Sequence, residues 1–460
     1  MNLGGPFGVV GVSAPSVTPT TGLNLAWVVL GACLALLAAA GVWLIYEQRG
    51  ETPRPAGTRL MCLALAAVAF FCTGFALAMG GVTGSYGGIG PLTGLGHEWI
   101  PNGEGWGILG LEGFLLSGAA YDAGIYALFL FQASLLILAT AIGVIPWADR
   151  APRLVAAAYS VLFGAALYPL YANWVWGGGW LAHLGQTQGL GHGLVDFAGS
   201  AVVNGAAGFA ALGAFLALRP AANDDAQTSD GDSRVLTGLF LCAAGWIGLT
   251  AASTFAMTDT RLAIAAANVF VAMCCAAAVG LLYTWFVAGE PQAAIGARAG
   301  LGGLVAVAAG APFFPAWAAA VVGGVAGLLA VFGCHLFGRL LRSQVGGAVV
   351  AVHGLAGAWG LLAVGLLADG RYGIGWNGIG EREYLATAGQ GVTGMFPATA
   401  AVADANQLTA QAAGVVALFA FLVVTWLIVR LTRWMARGQP PVDKRGSAPE
   451  YGSDGPGRTY

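Results

Sequence analysis

Of the 21 acidic and 5 histidine side chains in this sequence, only Asp122, Asp196, His335 and His353 lie at or inside a long apolar run. An ionisable group at the centre of a bilayer costs about 2.5–3.5 kcal/mol on insertion scales, so each is a candidate for function. Asp122 opens its run, where a carboxylate caps a helix N-terminus. Asp196 falls in the first turn of its run; it can be a buried cap favoured by the helix dipole or a direct ligand, and the two roles are compatible. His335, close to Phe337 and Arg339, reads as interfacial. His97, His183 and His192 fall in connecting loops, where a solvated imidazole needs no further account.

His353 is harder to set aside. It stands about nine residues, roughly 14 Å of helix, beyond Ser343-Gln344, which places it near mid-depth. Its surroundings repeat elsewhere: Asn204-Gly205-x-Ala207-Gly208 matches His353-Gly354-x-Ala356-Gly357. Asn204 lies about ten residues, roughly 15 Å, into a run that begins at Leu194. Like motifs at mid-depth on antiparallel spans are what an inverted repeat produces, with a site at its interface; the alternative is coincidence in a chain rich in Gly and Ala. An imidazole of pKa about 6.5 can take and give a proton near neutrality. An amide hydrogen-bonds but does not titrate.

The elements that must hold these residues are membrane spans. The 460 residues are 58% hydrophobic and 9% charged, with a net charge of -2; a soluble domain carries about 25% charged residues. A soluble enzyme and a basic nucleic-acid binder are therefore excluded, and the bilayer is the first partner. Apolar runs of the length that crosses roughly 30 Å of hydrocarbon lie at 23–46, 60–82, 121–145, 154–175, 194–218, 235–256, 262–287, 300–312, 317–338, 345–367 and 408–432. That makes eleven; the short, Gly-rich run at 300–312 could fuse with its neighbour or be a broken helix, which leaves ten or twelve as alternatives. Sixteen of the 19 Lys and Arg residues fall on one side when loops alternate, leaving Arg261, Arg371 and Arg382 on the other. The positive-inside rule then puts the N-terminus outside and the C-terminus in the cytoplasm, which requires an odd number of spans.

Residues 1–22 read as an extracellular lead without Lys or Arg, 83–120 and 368–407 as long outer loops, and 437–460 as a flexible cytoplasmic tail. The 74 glycines imply close helix packing. The seven cysteines, odd in number and without CxxC spacing, read as small core residues. There is no paired carboxylate, nucleophile elbow, Walker loop or metal-ligand cluster in the spans, so no enzyme activity, cofactor or metal is expected.

VWGGG at 175–179, DFAGSAVVNGAAG at 196–208, GWIGL at 245–249 and AVHGLAG at 351–357 resemble the ammonium transporter, methylammonium permease and Rhesus-protein superfamily, in the same order along spans three to ten. The resemblance implies an all-α polytopic membrane protein of the cell membrane. The fold so implied has eleven transmembrane helices: two inverted five-helix halves, 23–218 and 235–367, and a final helix, 408–436. It also implies a homotrimer of independent pores that conduct ammonium or ammonia for nitrogen uptake.

Residue by residue, Trp176 matches the vestibule tryptophan that receives the cation and Ser253 the hydroxyl that hydrogen-bonds it. Phe131, ahead of Gln132, matches the first gate phenylalanine, Trp246 a pore-lining tryptophan, Asp196 the aspartate beside the binding site, and His353 the second pore histidine. Aromatic faces attract ammonium by about 0.5–2 kcal/mol.

The departures matter as much. Asn204 stands where the first pore histidine belongs, Leu249 replaces the second gate phenylalanine, and Leu135 replaces a third vestibule aromatic. The first helix ends IYEQRGE in place of a Tyr-Gly-Gly pair, and the tail lacks the family's regulatory segment, so a regulatory protein docking there is not expected. On an ideal helix Asp196 lies about 80° round from Asn204 and roughly 12 Å above it, which suits an electrostatic and orienting role. Proton relay is left to His353 and water, and the two leucines leave a vestibule that is less cation-selective but equally dry. The leading reading is ammonium or ammonia transport with altered selectivity or proton coupling. The alternatives are a non-conducting ammonium receptor and a channel for another small polar solute or gas.

Overall fold

Long apolar sequence takes up helix because, in hydrocarbon, every backbone N–H and C=O must find its partner within the segment. The computed structural model describes residues 19–47, 56–101, 103–218, 232–398 and 400–437. Its principal helices are α1 (Pro19–Tyr46), α2 (Ala56–Met79), α3 (Ala123–Gly143), α4 (Arg153–Trp176), α5 (Ser200–Leu218), α6 (Asp232–Ala252), α7 (Arg261–Ala288), α8 (Ala293–Val307), α9 (Ala316–Leu341), α10 (Gln344–Leu367) and α11 (Ala405–Met435). Ten of them are long and apolar enough to cross a membrane; α8, with 15 residues, is shorter. Most of the expected lead, the tail and the connections at 48–55 and 219–231 lie outside the described residues.

Asp122 caps α3, accepting from the N–H groups of Gly124 at 2.9 Å and Ile125 at 3.2 Å. Ser343 Oγ caps α10 by accepting from Gly346 N–H at 3.1 Å. Two boundaries depart from the expected runs. The run at 300–312 is helical from Ala293 but only to Val307. Pro312 supplies no N–H and disfavours helix at the residue before it, so the chain turns and its Ala308 and Ala309 carbonyls accept from the N–H groups of Ala198 and Phe197. The run from 194 stays irregular until Ser200, because Gly199 adopts a left-handed φ of +90°. Asp196 therefore precedes its helix instead of occupying the first turn, and the ideal-helix placement of 80° and 12 Å does not hold. Of the seven cysteines, Cys62 and Cys242 are buried, whereas Cys33 and Cys274 are exposed on the bundle surface.

Small residues let the helix axes approach. A Cβ on Gly41 of α1 would lie 2.6 Å from the Gly238 carbonyl of α6, and one on Gly245 would lie 2.6 Å from the Ala38 nitrogen. The contact between α5 and α10 is reciprocal. A Cβ on Gly208 would collide with the backbone of Gly354, and one on Gly357 with the Ser200 carbonyl and the backbone of Gly205. The last glycine of each repeated motif thus packs on the first glycine of the other. Both motifs begin inside a π-helical turn, Ser200–Gly205 in α5 and Val350–Leu355 in α10, a distortion that recurs at functional sites.

The two long loops fold over one end of the bundle around short hairpins, Glu98–Trp99 with Leu109–Gly110 and Glu383–Tyr384 with Thr387–Ala388. His192 is not solvated as its loop position suggested: it is fully buried, 4.3 Å from the Tyr384 ring, with neither ring nitrogen hydrogen-bonded. Loop 368–407 covers it. Two side chains of α11 stitch the 192–195 segment in place. Gln407 accepts from His192 N–H and donates to the Gly193 carbonyl, and Gln411 accepts from Val195 N–H and donates to the Val195 carbonyl, each at 2.8 Å.

Candidate functional site

A cavity of about 600 Å³ opens beneath the long loops, and Trp176, Phe131, Leu135 and Ser253 all line it. Trp176 ends α4, and its indole is fixed from behind: Nε1 donates to the Asp196 carbonyl at 2.6 Å. Tyr86 Oη donates to the Trp176 carbonyl at 3.0 Å. Ser253 follows α6; its hydroxyl donates to the Leu249 carbonyl at 2.9 Å, which leaves the oxygen lone pairs free to accept an N–H. The buried Phe131 ring closes the floor edge-on to Phe255, with centroids 5.3 Å apart.

Phe255 and Tyr86 are two contributors that the sequence reading missed. Their rings lie 4.6 Å apart, and both line the cavity with Phe197 and Trp376. Of the two leucines that replace aromatics, only Leu135 lines this cavity, and the rings of Tyr86, Phe255, Phe197 and Trp376 stand in its wall beside Trp176 and Phe131. A signal was present: Phe255 stands two residues after Ser253, and Tyr86 sits in the glycine-rich GSYGGIG stretch. Gln132, next to Phe131, is also in the wall, with a buried Oε1 that has no hydrogen-bond partner.

Asp196 does not line the cavity. Oδ1 accepts from Gly199 and Ser200 at 3.0 and 2.8 Å, and Oδ2 from Ala201 and Val202 at 2.9 and 2.8 Å. Those four N–H groups are the ones a helix start leaves unpaired, so the carboxylate is taken up in holding α5. Only the backbone carbonyl of Asp196 communicates with the cavity, through Trp176. Ser200 Oγ completes this corner, donating to the Val305 carbonyl at 2.6 Å and accepting from Ala309 N–H at 2.7 Å.

Asn204 and His353 meet inside the bundle. His353 Nδ1 and Asn204 Oδ1 are 2.8 Å apart, and Asn204 Nδ2 donates to the Gly199 carbonyl at 2.8 Å. With the amide nitrogen so engaged, Oδ1 is the atom facing the imidazole. It can only accept, so the proton resides on Nδ1 and Nε2 is left as a lone pair with no partner. The Tyr46 ring lies edge-on to His353 at 5.6 Å. Leu249 and Trp246, one and two helical turns before Ser253, are fully buried and, like the pair itself, lie off this cavity. Tyr46 also borders a second, small cavity of about 20 Å³, together with Trp43, Glu47 and Arg59. Arg59 there pairs with Asp149 at 2.8 Å and Glu47 at 3.9 Å.

The arrangement offers an aromatic, cation-attracting chamber, an apolar phenylalanine floor and an imidazole with a free lone pair in the interior. Residues 26–437 match the model of the Ammonium Transporter Family. Ammonium transporter Amt2 of Archaeoglobus fulgidus is 31% identical over 77% of this chain and 74% of its own length. The ammonium transporter of Bacillus subtilis is 26% identical over 70% of this chain and 74% of its own length. A solved sensor Amt protein shares the fold with a TM-score of 0.71 at 22% identity, covering 91% of this chain and 95% of its own. Candida albicans Mep2 does so with 0.69 at 22% identity over 90% and 85%. The chain belongs to the ammonium transporter family.

Proposed function

We propose that ammonium enters the aromatic chamber, is held against the Trp176 face with an N–H on Ser253 Oγ, sheds its proton, and crosses as ammonia past Phe131, Leu135, Leu249 and Trp246 to His353. Aromatic and hydroxyl contacts replace part of the lost hydration. The neutral molecule then passes a floor where a charge would be expensive.

The observation that carries this reading is the hydrogen bond between His353 and Asn204, with Nε2 left free in the interior. A lone pair there accepts an N–H from ammonia or takes a proton. It cannot forward that proton through Asn204, because an amide oxygen has no useful basicity near neutrality. Proton movement therefore depends on His353 and water, and this chain transports with altered proton coupling. Asp196 acts indirectly, by holding α5 and aiming Trp176.

The reading extends to the whole molecule. Eleven helices cross the bilayer, α8 being the short one, in two inverted halves plus α11; the reciprocal glycine contacts of α5 and α10 support such a repeat. The N-terminus is outside and the C-terminus cytoplasmic, in keeping with the distribution of Lys and Arg. Three copies assemble in the cell membrane, each with its own pathway. The test is ammonium-dependent uptake and current in proteoliposomes of the purified protein. A signal above protein-free vesicles that falls on His353→Ala is expected, and no ammonium-dependent signal overturns the reading.

A further inference from the structure

The cavity wall holds one carboxylate that the pathway above does not use. Glu98, in the first hairpin, lines the same chamber as Trp176 and Ser253. Its side chain lies in a cradle made by absent side chains. A Cβ on Gly107 would coincide with the carboxylate, one on Gly81 would lie 2.9 Å from the Glu98 Cβ, and one on Gly178 would lie 3.6 Å from Oε2. Gly178 is two residues beyond Trp176, so the carboxylate borders the segment that carries the indole.

Glu98 Oε1 is buried and accepts no hydrogen bond, and the Oδ1 atom of the neighbouring, fully buried Asn173 is likewise unpartnered. Unpaired buried acceptors are costly, and a compact cation with several N–H donors is the chemistry that satisfies them. Burial pushes the Glu98 carboxyl up to about 7, against the lowering influence of the neighbouring Asn173 amide.

Among the described residues of the wall, the other groups able to carry charge near neutrality are His183 and Arg261. His183 Nδ1 lies 3.2 Å from the Gly179 carbonyl, and Arg261 is engaged by Asp259 at 2.6 Å. In the hairpin region itself His97 precedes Glu98, and Glu112 accepts from Gly96 N–H at 2.7 Å.

Resting on the transport reading above, we infer that Glu98 is a second cation-binding residue of the vestibule, a carboxylate that accepts N–H bonds from incoming ammonium beside the Trp176 face. Because its charge appears near neutrality, capture strengthens as the medium turns from acid to alkaline.

The experiment compares ammonium chloride with sodium chloride titrations of the purified full-length protein, read by tryptophan fluorescence. Proteoliposome uptake is measured in parallel, at about pH 5.5 and about pH 8. Glu98→Gln is expected to weaken ammonium binding about 5-fold at the alkaline pH and hardly at all at the acid one, the scale of one screened charge. Maximal uptake should change less than binding, and Glu98→Asp should recover part of the loss. Gly107→Ala keeps the charge but occupies its place, and is expected to weaken binding in the same way. Unaltered elution and melting behaviour identify variants that fold.

Binding by Glu98→Gln equal to wild type at both pH values overturns the inference while leaving transport intact. Binding that depends on Glu98 in a protein without flux upholds it and overturns transport. A wild-type protein that neither binds nor transports ammonium overturns both.

Discussion

At the scale of single residues, the chemistry turns on what each polar atom already has as a partner. Asp196 looks like a ligand by type and position, yet its four backbone bonds leave no oxygen for substrate. Asp196→Ala is expected to lower stability by about 3 kcal/mol or more, since it strands several buried N–H groups; melting temperature and yield of folded protein check this. His353 is the opposite case, with one nitrogen fixed by Asn204 and the other unused. Asn204→His restores a second titratable group, so the charge moved per ammonium taken up should rise, as measured by comparing current with uptake in the same vesicles. An unchanged ratio would show that proton movement is limited elsewhere. The motif around His353 and Asn204 was legible because its residue types and spacing repeat within the chain. Phe255, Tyr86 and Glu98 were not, because Phe255 and Tyr86 reach the cavity from irregular segments and Glu98 from a two-residue strand, none of which is long enough to show a periodicity.

At the scale of elements, the apolar runs located the helices well, and the failures came where one residue overrides a run. Gly199 delays α5 by its left-handed backbone, and Pro312 ends the helical stretch that α8 begins. Gly208→Val tests the close approach of α5 and α10: the added side chain meets the Gly354 backbone, and overpacking of this kind costs about 1–3 kcal/mol or more. Melting temperature should fall well below that of a control on the exposed surface of the bundle such as Phe240→Leu. The 192–195 segment carries a pH term as well. Burial pushes His192 down to about 4, against the raising influence of the Gln407 amide. A histidine whose folded pKa is depressed contributes full stability above its unfolded value of about 6.5 and loses it as pH falls toward the folded value. Thermal stability should therefore decline between about pH 6.5 and 4, by up to about 3 kcal/mol. His192→Gln should flatten that part of the profile, and a profile identical to wild type would assign the acid lability to another group.

At the scale of the whole molecule, scarcity of charge identified a membrane protein, and its uneven distribution suggested which end faces the cytoplasm. The exposed apolar side chains of single helices, among them Phe240, Phe286 and Val416, have two destinations, lipid and a neighbouring copy, and sequence composition does not separate them. Native mass measurement of the detergent-solubilised protein is expected to give three copies per particle, and a monomer would contradict the assembly. A fluorescent reporter fused to the C-terminus is expected to mature in the cytoplasm; its failure there would invert the topology. The bonds from Gln407 and Gln411 to residues 192–195 also set a schedule for biogenesis. A nascent chain halted before α11 would present the backbone of His192, Gly193 and Val195 without these partners, so this end of the cavity is completed only when α11, the most C-terminal of the described helices, has been made, and a copy truncated before it would be recognisable to quality control by those unpaired groups.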